Sequence, residues 1–120
     1  MSQPEKLLFW VGSSKRDLLT FPDDVKDVFG YALHLAQHGE KHICAKPLRG
    51  FRGAKTLEVV EDYQGDTFRA IYTVKFGGNV YVLHCFQKKS KKGISTPKVD
   101  MKKIRSRLRD AELLHQELTR

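Results

Sequence analysis

Cysteine is scarce: the 120 residues hold only Cys44 and Cys85. Two thiols build no disulfide framework, and both are expected reduced, as in a cytosol. Long apolar runs are missing too. The most hydrophobic stretch, Leu7-Leu8-Phe9-Trp10-Val11, falls far short of the roughly 20 residues that span a bilayer. It is also too short and too poorly flanked for a secretory signal. The expectation is a cytoplasmic chain with no membrane contact. No Pro/Gly/Ser-rich linker divides the sequence and no internal repeat is visible, so residues 1–120 read as a single domain. No nucleophile elbow, phosphate-binding glycine loop or C-x-x-C pair is present.

Acid is absent where base is dense. Lys+Arg number 22 against 14 Asp+Glu, a formal charge of +8. Residues 41–55 carry Lys41, Lys46, Arg49, Arg52 and Lys55 with no acid. Residues 88–109 carry ten bases against Asp100 alone. The rest of the chain is slightly acidic. A polyanion is the economical partner for two such blocks, and a phosphate backbone is the commonest polyanion.

His34, His38 and His42 lie four apart, with Cys44 two further on. His34 and His38 could share a helix face, as zinc sites often require. Gly39 should end that helix before His42, which puts the third ligand out of phase, and no H-E-x-x-H spacing accompanies them. No metal and no cofactor are expected. Cys85 lies inside an apolar strand and reads as core rather than as a thiolate.

The order of elements reads β-α-α-β-β-β-α. Lys6–Val11 is a first strand closed by Gly12. Ser13 or Ser14 caps a short helix to Thr20, with Asp17 in a weak capping-box position. After Phe21-Pro22-Asp23, the residues Val25, Val28, Phe29, Ala32, Leu33 and Ala36 form one apolar stripe at helical spacing, and Gly39 stops the helix. Residues 40–56 read as a basic loop with a short edge strand near Ala45–Leu48. Three strands follow: Thr56–Tyr63, Thr67–Phe76 and Val80–Gln87, with the last expected in the centre. Gln64-Gly65-Asp66 and Gly77-Gly78-Asn79 supply the turns. Thr96-Pro97 opens a helix over about 97–118. The predicted class is α+β: a small, mostly antiparallel sheet with a helical hairpin on one face, the other face open to solvent or ligand.

Arg69 sits in mid-strand within Phe68-Arg69-Ala70-Ile71-Tyr72. A guanidinium there must pair with a carboxylate or face a cleft, because burying it alone is costly. Glu58 or Glu61 on the preceding strand would satisfy it structurally. The functional alternative is a phosphate-facing arginine with a basic loop folded over the same face.

The Ser13-Ser14-Lys15-Arg16-Asp17-Leu18 stretch, Phe21-Pro22, Gly30-Tyr31-Ala32-Leu33, Gln37-His38-Gly39 and Lys46-Pro47-Leu48 are similar to the HigB-like branch of the RelE/ParE toxin superfamily. So are Phe68-Arg69-Ala70-Ile71-Tyr72 and Leu83-His84-Cys85-Phe86-Gln87-Lys88-Lys89-Ser90, and the pieces fall in matching order from Lys6 to Arg109. The resemblance implies a RelE-like fold and the toxin of a type II toxin–antitoxin pair that cleaves mRNA on the ribosome. It implies an antitoxin partner, most often a helix-turn-helix protein. Cleavage by a 2′-hydroxyl needs a base, an acid and cations for the phosphorane, and no metal. On this reading Arg69 clamps the transition state, and Lys88 or Lys89 acts as base or acid with a pKa depressed by neighbouring cations. His84 is a further acid or base, with a core role left open. Lys46, Arg49, Arg52, Lys55, Lys91 and Lys92 contact RNA backbone. Many relatives place a histidine or tyrosine near the C-terminus, where this chain has only His115. Two other readings stay open: a ParE-like toxin that inhibits DNA gyrase without nucleolysis, and a basic RNA-binding module without catalysis.

Overall fold

The computed structural model describes residues 5–88 and 96–120. Its elements run β1 Leu8–Trp10, α1 Ser14–Leu19, α2 Asp23–Gln37, β2 Ala45–Pro47, β3 Thr56–Tyr63, β4 Asp66–Thr73, β5 Val80–Lys88 and α3 Lys98–Leu118. The class is α+β, as expected. One five-stranded sheet has the order β1-β5-β4-β3-β2. All pairings are antiparallel except β1 with β5.

Period-2 alternation divides the side chains between two faces. Phe68, Ala70, Tyr72, Leu57, Val59, Val80, Val82 and Cys85 pack under α1 and α2, against Leu18, Val25, Phe29, Ala32, Leu33 and Ala36. Ile71, Tyr81, Leu83 and Phe86 point the other way and meet Ile104 and Ala111 of α3. The α2 stripe is as the spacing predicts, with five of its six positions fully buried and Val28 partly so. Gly39 stops α2 at φ +77°. Its N–H bonds the Ala36 carbonyl and that of Glu40 the Leu35 carbonyl, a Schellman closure.

Three details differ from the sequence reading. The sheet face opposite the helical hairpin is not simply open, because α3 covers its β1–β5 side. The central strand is β4, not β5, since β1 adds a parallel edge beyond β5. β4 ends at Thr73 rather than Phe76. The Thr73 hydroxyl accepts the Lys75 N–H, the chain turns through Gly77 and Gly78 at positive φ, and Phe76 crosses to the α3 face. At α1 the N-cap is Ser13, whose hydroxyl donates to Asp17 at 2.7 Å, while the Ser14 hydroxyl is buried and donates to the Val82 carbonyl.

Ile104 anchors α3 and is fully buried. Ile104→Ala removes its packing and leaves a cavity, so it should cost about 2–5 kcal/mol. Urea unfolding followed by circular dichroism checks this; a loss below 1 kcal/mol, on the scale of a tolerated core swap, would mean that α3 is docked by other contacts.

Candidate functional site

On the α3 face, toward β2 and β3, the helix leaves the sheet uncovered. A cleft of about 440 Å³ opens there, lined by Lys46, Pro47, Leu48, Arg49, Gly50, Glu58, Thr96 and Met101. Lys46 stands opposite Glu58 in the β2–β3 register, so the short edge strand delivers an ammonium beside a carboxylate. Glu58 is 9% exposed and Arg69 only 5%. Arg69 Nη1 donates to Glu58 Oε2 at 3.1 Å and to the Thr96 hydroxyl at 3.4 Å. The arginine therefore lies directly beneath two residues of the cleft wall. It is not shut away under α1 and α2, but neither does it project freely. The carboxylate pairing that the sequence left as an alternative is present, and its partner is Glu58. Thr96 faces Arg69, and the N-cap of α3 is Pro97.

Lys88 pairs with Thr67 and Phe86 with Arg69 across β4 and β5. Lys88 and Arg69 are thus diagonal neighbours on the same face. The Lys88 ammonium is held below the ordinary lysine range, first by desolvation, then by the Arg69 guanidinium, with Glu58 pulling the other way. Burial leads that depression, and its cationic part comes from Arg69.

The other expected site residues are distributed more widely. Lys46 and Arg49 line the cleft. Arg52 and Lys55 are exposed on the following loop. Lys55 is tied by its carbonyl to Val74 and Thr73. It therefore sits at the opposite end of β4 from Lys88, about 20 Å away at ordinary strand rise. Lys89, Lys91 and Lys92 lie outside the described residues.

His84 belongs to a different environment. Its Nδ1 faces Arg107 Nη1 at 3.3 Å and its Nε2 faces Asp100 at 2.7 Å. A guanidinium only donates, so Nδ1 accepts and the proton sits on Nε2, donated to Asp100. The ring stacks on Phe86. Burial lowers its pKa most, and Arg107 and Lys103 lower it further against the opposing pull of Asp100. Arg107 also bonds the Leu83 carbonyl at 2.9 Å and the Ser13 hydroxyl at 2.8 Å. The chain Asp100–His84–Arg107–Ser13–Asp17 is a polar clasp joining α3, β5 and α1. Its histidine borders a second, open hollow rather than the cleft.

His115 packs on Phe76 and faces Tyr81 at 3.4 Å. A Cβ on Gly77 would come 2.7 Å from its Cε1. From Lys98 to His115 α3 rises about 25 Å, so His115 stands far along α3 from the cleft and serves the β4–β5 hairpin. Burial pushes the Cys85 thiol up to about 12, which suits core, not a nucleophile. The Tyr72 phenol is likewise pushed up to about 12. His34 and His38 meet edge to face, while His42 Nδ1 accepts the Cys44 N–H. Among the described residues, no three His, Cys, Asp or Glu side chains are placed to hold a metal, and no helix is long and apolar enough to cross a membrane.

The residue that the sequence reading treated only as a structural partner is Glu58. The signal was an acid in mid-strand between Leu57 and Val59, opposite the arginine-bearing strand.

Residues 16–109 match the family described as phage-derived protein Gp49-like (DUF891). The chain belongs to that family. No curated protein matches it significantly. Among solved structures, the crystal structure of the toxin–antitoxin complex RelBE2 from Mycobacterium tuberculosis contains a similar chain. The identity is 18% and the TM-score 0.47, over 72% of this chain and 94% of that one.

Two outcomes are expected of this Gp49-like protein. Glu58→Met takes the carboxylate from a buried guanidinium and should destabilise by about 3–5 kcal/mol, Arg69→Met should also destabilise, and the Glu58→Met/Arg69→Met double should lose less than either single change; denaturant titration of the three variants beside the unaltered protein checks the order. For His84, the folded pKa lies below the unfolded value of about 6.5. The unfolded chain therefore binds a proton first on acidification. Stability should fall as pH drops below about 6.5, until the folded imidazole also protonates. His84→Gln should flatten that part of the stability–pH curve; an unchanged slope would remove His84 as its source.

Proposed function

We propose that the chain is the toxin of a type II toxin–antitoxin pair and that it cleaves mRNA on translating ribosomes in the cytoplasm. The observation that carries this reading is the cleft: Lys46 and Arg49 on its rim, Glu58 in its wall, and Arg69 and Lys88 beneath and beside that carboxylate. The class comes from the motif resemblance over Lys6 to Arg109, and Gp49-like membership agrees with a phage-derived origin.

The site holds groups for each part of the reaction. The ribose 2′-oxygen bonds to phosphorus while the bond from phosphorus to the 5′-oxygen breaks. Glu58 takes the 2′-hydroxyl proton. Lys88 gives a proton to the departing 5′-oxygen, and its depressed pKa makes it a better donor than a solvated lysine. Lys46 and Arg49 offset the charge of the phosphorane. Arg69 orients Glu58 and adds positive potential from below. It acts through the cleft wall, a more indirect role than a free clamp. Lys89, Lys91, Lys92, Arg52 and Lys55 extend the contacts to RNA backbone, and His84 acts through α3 rather than on the phosphate. The antitoxin is a helix-turn-helix protein that neutralises this basic surface.

A second reading is favoured by one observation, the near-complete burial and pairing of Arg69. On it the chain arrests growth by binding alone, as a gyrase-inhibiting relative would. Purified protein added to translating ribosomes, with mRNA ends mapped, separates the two. Cleavage is expected, with Lys88→Met slowing it at least 100-fold, on the scale of a lost general acid. Intact message alongside growth arrest would favour binding without cleavage.

A further inference from the structure

The bases of α3 take no part in the proposed cleavage, apart from the positioning contacts of Arg107. Lys98, Lys102, Arg105 and Arg109 follow a 4-3-4 spacing, which keeps all four on one helix face. All are exposed. The buried residues of the helix, Ile104 and Ala111, lie on its other side. The stripe runs about 16 Å along the axis.

Helix stability does not account for it. Lys98 with Lys102 and Arg105 with Arg109 are like charges at i,i+4, an arrangement that weakens a helix. Lys98 stands at the N-terminal end, where the helix dipole disfavours a cation. Among the described residues, no carboxylate pairs with any of the four.

The stripe starts at the cleft. Arg105 donates to the Gly50 carbonyl at 3.3 Å and lies 4.8 Å over the Phe51 ring. Gly50 and Met101, beside it, line the cleft. We infer that the solvent face of α3 is a track for RNA backbone that continues from the cleft rim, an inference that rests on the proposed action on RNA. A docked protein would need an apolar centre to its interface, and the exposed apolar residues of the helix, Val99, Leu113 and Leu118, stand beside or beyond the four bases rather than among them. A phosphate chain needs only the charges.

The test uses the full chain and a 12-nucleotide 2′-O-methyl RNA, which lacks the attacking hydroxyl, so binding is read apart from cleavage. Lys102→Gln/Arg109→Gln leaves the Arg105 anchor in place. Fluorescence anisotropy should show an affinity loss of about tenfold, and a log K against log salt slope shallower by about 1.4, the value for two lost phosphate contacts on a single strand. Lys15→Gln/Arg16→Gln removes the same charge on α1 and should leave the slope unchanged; circular dichroism verifies that both variants are folded. An unchanged slope in the α3 variant overturns the inference. So does an equal loss in the α1 variant, or a defect confined to binding of an acidic polypeptide such as polyglutamate. These outcomes leave the cleavage proposal standing, because that one fails only in the ribosome assay.

Discussion

Arg69 and Glu58 face each other on adjacent strands, almost out of reach of water. Either charge alone at that depth would carry a large desolvation penalty. Together, with Thr96 as a further acceptor for the guanidinium, they are tolerable. The pair constrains its surroundings. It sets a polar floor in an otherwise apolar sheet face, it fixes where the start of α3 can come down, and it prevents that part of the sheet from being sealed with aliphatic side chains. The cleft exists because the floor is ionic and α3 docks to one side of it.

The sheet uses its two faces for different ends. Under α1 and α2 the packing is mainly aliphatic and aromatic, with the buried Ser14 hydroxyl donating to the Val82 carbonyl. Under α3 the apolar contacts are interrupted by two polar assemblies, the Arg69–Glu58 pair and the clasp built on His84. Buried polar groups of this kind contribute less to stability than to a defined position, provided every member is satisfied. A neutral His84, held between a donor and an acceptor, meets that condition. The face with the weaker hydrophobic seal is the one that presents cations to solvent, at Lys46, Arg49 and along α3.

Much of the fold was legible because its signals are local. The α2 stripe, Gly39 as stop and the Gln64-Gly65 turn each depend on a few neighbouring residues. Gln64 and Gly65 both take positive φ, as a two-residue hairpin turn requires. The assignment of β5 to the centre failed because a strand's place in a sheet is a non-local fact. β1 is three residues long and carries no mark in its sequence that it will lie parallel beside β5. The idea of an open second face held only toward β2 and β3, for a related reason. α3 was recognised as a helix, but which surface it would cover depends on Ile104 and Ala111 finding Ile71, Tyr81 and Leu83.

Composition and spacing by themselves determined the class of the molecule: an α+β fold whose basic charge is gathered in two blocks. Those properties are sums over the chain or periodicities within one element, and neither changes when the chain folds. Only the tertiary structure decided which charges meet. It joined Arg69 to Glu58 rather than to Glu61, set Lys46 and Arg49 over that pair, left Lys55 at the far end of β4, and drew His84 into a clasp with α3. Each of those outcomes turns on strand register and on where a helix lands, and a shift of one residue in register would have sent every one of those strand side chains to the opposite face.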